Sequence, residues 1–418
     1  MRTWAVALCL AVAAILSLAA LSPAAAQPAV QVGTQTVENA FPRGLRFHLT
    51  ATSEVPVQRV LLHYRLLPRG VAAAAGVQVE PGTQVDATYE LGWPQTYLAP
   101  GTAVEYRWEL RDAQGGSFFT PAQTATYSDP RFPFRTLEEG GVTLYWYAGS
   151  EQQARRLLQA AADALARAEA LLRADVDFPV KVWVYADPDD MGPALVPRSE
   201  AFDRAVITAG EKVSDDTVLM AGMGAVDTLR HELTHIVTAV AGRGPFGDLP
   251  AWLDEGTAVY FQESQGAFRL AFQEAVRRDA LLPLTAIGSY PGDPSKVNLF
   301  YGQSWALVSY LIDTYGEERF AQLFATFKRG ATIDGALRAV YGLGLYDLED
   351  QWRQSLGLGP VPRPGTGPRA GATPLPPSAT PLPVGDRGPN PLPWAAVGGA
   401  VVVGAAAALL VYRRLVRG

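Results

Sequence analysis

Two of the chain's four histidines stand four residues apart, in Leu229-Arg230-His231-Glu232-Leu233-Thr234-His235, and a glutamate directly follows the first. On a helix, positions i and i+4 share one face about a turn apart, so both imidazoles can offer a nitrogen to a single metal ion. Glu232 then stands beside that metal, placed to take a proton from a water bound there. Glu255 follows twenty positions after His235, within Leu249-Pro250-Ala251-Trp252-Leu253-Asp254-Glu255-Gly256-Thr257-Ala258, whose proline suits the first turn of a second helix. Catalytic zinc commonly takes two histidines and a glutamate and keeps a fourth position open. The expected ligands of one zinc ion per chain are therefore His231, His235 and Glu255, with Glu232 as the base. Each residue also has a plainer reading. A histidine on an apolar helix face is often a packed, hydrogen-bonded residue, and Glu255 could be a carboxylate favoured by the positive end of a helix dipole.

The pair H-E-L-T-H and W-L-D-E-G-T-A resembles the two active-site helices of gluzincin metallopeptidases, the group of thermolysin-like and aminopeptidase-N-like enzymes. Over about residues 145–355 the chain is similar to bacterial peptidase MA-like domains. The resemblance implies an α+β fold, hydrolysis of a peptide or protein substrate, zinc on His231, His235 and Glu255, and Glu232 as general base. It does not extend to a G-x-M-E-N segment for a substrate's free amine, since Leu219-Met220-Ala221-Gly222-Met223-Gly224-Ala225 stands upstream instead. In related enzymes a tyrosine or histidine beyond the third ligand donates to the oxyanion formed in the reaction. No histidine follows His235, so a tyrosine is expected: Tyr301, in Asn298-Leu299-Phe300-Tyr301-Gly302-Gln303-Ser304, with Tyr290 in reserve. The plainer reading of Tyr301 is a packing residue at a helix start.

These residues need a scaffold. Within an expected catalytic domain at 130–358, an amphipathic pattern predicts a helix from Glu151 to about Ala174, after a strand or hairpin at 141–148. Strands are expected at 180–185, 205–208 and 217–220, the His231 helix from near Ala225, the Glu255 helix from near Pro250, and several helices from Phe300 to Leu356. Asp187, Asp189 and Asp190 read as a solvated acidic loop rather than a calcium site. Residues 27–129 differ in character. Alternating runs such as Arg59-Val60-Leu61-Leu62-His63-Tyr64-Arg65, divided by Pro-Gly and Gly-Gly turns, predict about seven short strands in a β-sandwich similar to fibronectin type III or immunoglobulin-like modules. His48 and His63 fall there, far from the metal motif, and read as structural or exposed.

The two ends suggest export and anchoring. Arg2, the apolar run from Ala5 to Leu21 and the small residues Ala24-Ala25-Ala26 read as a signal peptide over residues 1–26. Cys9, the only cysteine, lies inside it, so the mature chain has no disulfide. Residues 359–393 are proline-rich and suit an extended spacer. Residues 394–412 carry no charge, and nineteen helical residues at about 1.5 Å each nearly match a hydrocarbon core of about 30 Å. Arg413, Arg414 and Arg417 follow in a tail at 413–418, which predicts a single-pass membrane protein with its domains outside the cytoplasm. A net charge of -6 without basic clusters gives no reason to expect a nucleic-acid partner, and none is expected. The whole is expected to be multidomain: β-sandwich, α+β gluzincin-like domain, linker and transmembrane helix. A second reading from another class is a non-catalytic surface-binding protein with a relic metallopeptidase fold; the intact Glu232 counts against it.

Overall fold

The computed structural model of the protein describes residues 30–197 and 209–361. Contacts divide the chain after Pro130 into two compact units. In the first, seven strands are all hydrogen-bonded into one antiparallel sheet: β1 (Val30–Asn39), β2 (Gly44–Leu66), β3 (Ala73–Val77), β4 (Gly82–Gly92), β5 (Ala103–Asp112), β6 (Ser117–Phe119) and β7 (Gln123–Thr126). β2 departs from the expected short strands. Its first half pairs with β1 and β4 and its second half with β3 and β5. The register shifts between Thr52 and Arg59, around Pro56, which has no N–H to give to a ladder; the proline bends the strand without ending it. Both halves then feed one core, where Phe47 and Leu49 from the first meet Leu62 from the second and Tyr106 and Trp108 of β5. Each such side chain contributes about 1.5–3 kcal/mol by leaving water. His48 lies 3.0 Å from Asp86 and His63 2.7 Å from Glu109, so both histidines pair within the sheet.

The second unit opens with a hairpin of β8 (Arg135–Glu139) and β9 (Val142–Trp146). α1 (Glu151–Leu172) follows. Ser150 accepts from the Gln153 N–H while Gln153 accepts from the Ser150 N–H, a reciprocal cap that starts this helix at the expected place. Its Leu157, Leu158, Ala161, Leu165 and Ala168 recur at three- and four-residue steps and are buried in the same core as β9 and β10 (Val180–Tyr185). β10 pairs in parallel with β9 and with β12 (Thr217–Ala221), and β11 (Gly210–Lys212) runs antiparallel to β12, giving the order β11-β12-β10-β9-β8. Asp187 caps the short helix α2 (Pro188–Met191) by accepting the Asp190 N–H, and the Asp190 carboxylate accepts from the Tyr147 hydroxyl.

The rest is helical: α3 (Val226–Gly242), α4 (Ala251–Tyr260), α5 (Gly266–Arg277), α6 (Val297–Tyr315), α7 (Glu317–Lys328), α8 (Ile333–Tyr341) and α9 (Leu345–Ser355). α4 and α6 approach so closely that a Cβ on Gly256 would stand 2.4 Å from the Ser304 carbonyl oxygen; only glycine fits. Among the described residues no helix is long and apolar enough to cross a membrane. The expected signal segment, the strand at 205–208 and the segments 362–393, 394–412 and 413–418 lie outside the described residues.

Candidate metal centre

α3 is buried on nearly all sides. Leu229, Leu233, Ile236 and Val237 turn into the core, which fixes the opposite face and with it His231, Glu232 and His235. α4 is set against it by its own first turn. The free N–H groups of Ala251 and Trp252 donate to the carbonyls of Gly288 and Ile287, so the helix start is satisfied by the loop that carries Tyr290. Gln303 of α6 pins the segment before that loop from both sides, accepting from the Leu282 N–H and donating to the Leu282 carbonyl.

The result brings His231, His235 and Glu255 together, all buried, each with one ligand atom within 4.8 Å of the others. It is the sole such cluster of three or more among the described residues. The two Nε2 atoms stand 3.2 Å apart, and Glu255 Oε2 lies 3.1 Å from His231 Nε2 and 3.5 Å from His235 Nε2. Three buried ligand groups face one another, and Glu255 Oε2 has no hydrogen-bond partner. Ligands held at about 2.0–2.1 Å around a tetrahedral zinc are roughly 3.3 Å from each other, so these separations and this donor set fit zinc.

A ring of partners holds the three in place. His235 Nδ1 lies 3.0 Å from Asp254 Oδ1, in a contact bent away from ideal hydrogen-bond geometry, and the same oxygen accepts from Thr238 at 2.5 Å. Gln262 Nε2 is 3.4 Å from His231 Nδ1. Tyr290 donates its hydroxyl to Glu255 Oε1. None of these four had a signature in spacing, although Asp254 adjoins Glu255 and Thr238 follows His235 by three. Imidazole ligands with a carboxylate on the far nitrogen are a recurring metal-site arrangement, because the carboxylate fixes the ring and raises its basicity.

Glu232 follows His231 on α3 and adjoins both histidines around the helix. Its Oε2 accepts the Lys212 backbone N–H at 2.9 Å, and its Oε1 has no partner. Burial pushes its carboxyl up, against the pull of His231 and His235. For Glu255 burial acts in the same sense but is outweighed by His235 and His231, which hold it far below the ordinary carboxylate range. His235 loses basicity by burial and regains more than that from Asp254 and Glu255, so its pKa ends well above the usual value. Two carboxylates that favour positive charge on His235 equally favour a cation among the ligands.

The two tyrosines are placed differently. Tyr301 is 2% exposed; its ring stacks on Phe268 with centroids 5.0 Å apart and lies 6.1 Å from the His231 ring. Burial, then the charges of Glu255 and Glu232, push its hydroxyl up, so it stays protonated. Tyr290, 39% exposed, is on the wall of a cavity of about 420 Å³ that opens beside His235 and Glu255. Burial of its hydroxyl and the Glu255 charge raise its pKa as well.

Residues 160–357 match the family model described as the Peptidase MA superfamily. No curated protein matches the chain. Among solved structures, an M1 zinc metallopeptidase mutant from Deinococcus radiodurans aligns at 12% identity over 78% of this chain and 93% of its own, with a TM-score of 0.36. A two-domain M1 zinc metallopeptidase mutant bound to L-arginine aligns at 14% identity over 80% and 95%, again at 0.36. A family 56 carbohydrate-binding module, a beta-1,3-glucan binding domain, aligns at 18% over 23% and 96%, at 0.15.

Proposed function

We propose, from the match of residues 160–357 to the Peptidase MA superfamily, that this chain is a zinc-dependent peptidase with His231, His235 and Glu255 as metal ligands and Glu232 as general base. The observation that carries the reading is the convergence of three buried ligand atoms at 3.1–3.5 Å, with an unpartnered Glu232 oxygen one residue along the same helix. Zinc, when bound, supplies a Lewis acid that makes water acidic at neutral pH. Glu232 Oε1 takes the proton from the attacking water and returns it to the leaving amine, while the Lys212 N–H keeps Oε2 fixed. A carboxyl whose pKa burial has raised is a stronger proton acceptor for that step. The Tyr301 hydroxyl, close enough to Glu232 and Glu255 to feel both charges, donates to the oxyanion; Tyr290 orients Glu255. Peptide or protein is the substrate class, taken into the cavity beside His235. The activity belongs outside the cytoplasm, tethered through 394–412, on the sequence reading alone.

The test is cleavage of a mixed peptide library by the full chain loaded with zinc. Glu232→Gln keeps the shape and the Lys212 contact but cannot accept a proton, so turnover falls by about 10²–10⁴-fold. Equal cleavage by both proteins would refute the assignment of the base.

A further inference from the structure

The cavity beside the metal ligands contains a cation that the reaction does not use. Its walls include Lys212, Arg243, Asp215, Asp248, Asp254 and Tyr290 together with His235 and Glu255. Most of these charges are matched. Arg243 bridges Asp215 at 2.7 Å and Asp248 at 3.0 Å, and Asp254 is held by Thr238 and His235. Lys212 is different. Its backbone N–H goes to Glu232, but among the described residues its ammonium has no ion pair or hydrogen bond, although the residue lines a charged cleft. Burial and the neighbouring Arg243 guanidinium lower its pKa, against Asp254, Asp215 and Asp248. Lysine bears its charge on a flexible stem of four carbons and binds anions as a point charge.

We propose that Lys212 is a specificity-determining residue whose ammonium pairs with a carboxylate of the bound substrate, so that the enzyme selects peptides carrying an anionic group next to the scissile bond. This deepens the peptidase reading and rests on it for the word substrate; the anion site itself does not. The carboxylate has two possible sources, the free C-terminus of a short peptide or an Asp or Glu side chain. Both present the same group to the same ammonium. Because His235, Glu255 and Lys212 border one cavity, an anion paired with Lys212 holds the adjoining chain against the metal ligands.

The test separates binding from turnover. Full-length Glu232→Gln protein loaded with zinc is titrated with fluorescent peptides of one core sequence: free C-terminus, amidated C-terminus, and amidated with one internal Glu or its Gln counterpart. A charge-assisted bond in a partly wet cleft should favour the anionic member of a pair by about tenfold, and the advantage should shrink as salt rises. The pair that shows it identifies the source. In the Glu232→Gln, Lys212→Met double variant the advantage disappears, and in Glu232→Gln, Lys212→Arg it survives at least in part; zinc content and thermal unfolding report whether each variant is folded. Equal binding of anionic and neutral peptides by the parent, which needs no Lys212 variant, would overturn the proposal, as would an advantage that persists in a folded Lys212→Met protein. If anionic selectivity follows Lys212 but protein with Glu232 intact cuts no peptide, the anion site stands and the peptidase reading falls.

Discussion

Asp254 illustrates how much of this centre depends on residues that touch no metal. It stands one position before Glu255, on the next side of the same helix, and its Oδ1 meets His235 Nδ1 at 3.0 Å and accepts from Thr238. Asp254→Asn keeps the shape but removes the charge that raises the basicity of His235. Zinc affinity should fall about 10–100-fold, the usual cost of losing an outer partner of a ligating histidine, with the fold intact. Competition against a chelating dye measures it, and unchanged affinity would show that Asp254 does not orient the ring. His231, His235 and Glu232 were legible in the sequence because their relation is local: a turn of helix joins them whatever surrounds it. The hydroxyl of Tyr290 on Glu255 and the Lys212 N–H on Glu232 were not legible. Each joins segments 35 and 20 residues apart through a tertiary approach that no periodicity records.

Elements show the same division. α1 begins at the expected Glu151, and α3 and α4 begin within a residue of the expected positions, since proline and apolar spacing act locally. β2 was not legible as one 23-residue strand, because Pro56 reads as a strand end, and only pairing with four other strands carries the chain past it. Strand pairing also sets an acid response. On β5, Glu109 accepts from Arg111 and Ser117 and contacts His63, and the Arg111 hydrogen bond first, then those of His63 and Ser117, hold its carboxyl at about 2 against burial acting upward. A carboxylate depressed on folding contributes stability that is full above its unfolded value near 4.5 and is lost as pH falls toward about 2. The first unit should therefore lose stability through that window, and Glu109→Gln should be less stable at pH 7 with a flatter acid limb. Urea unfolding followed at several pH values tests this, and parallel curves for both proteins would contradict it.

For the molecule as a whole, the division after Pro130 separates two chemistries: a sheet unit whose histidines pair with their own carboxylates, and a helical unit that concentrates its remaining two around Glu255. The family match, residues 160–357, falls inside the second unit, so the peptidase account stands on that unit alone. The core of that unit decides which face of α3 is left for chemistry, and the contact of α4 with α6 at Gly256 decides how close Glu255 can come. The central claim is that this packing builds one zinc site. Its most direct test is elemental analysis of the purified full chain beside His231→Ala, His235→Ala and Glu255→Ala. One zinc per chain is expected in the wild type, and its loss or marked weakening in each variant. A wild-type chain that stays free of zinc after reconstitution, or three variants that keep it fully, would contradict the account.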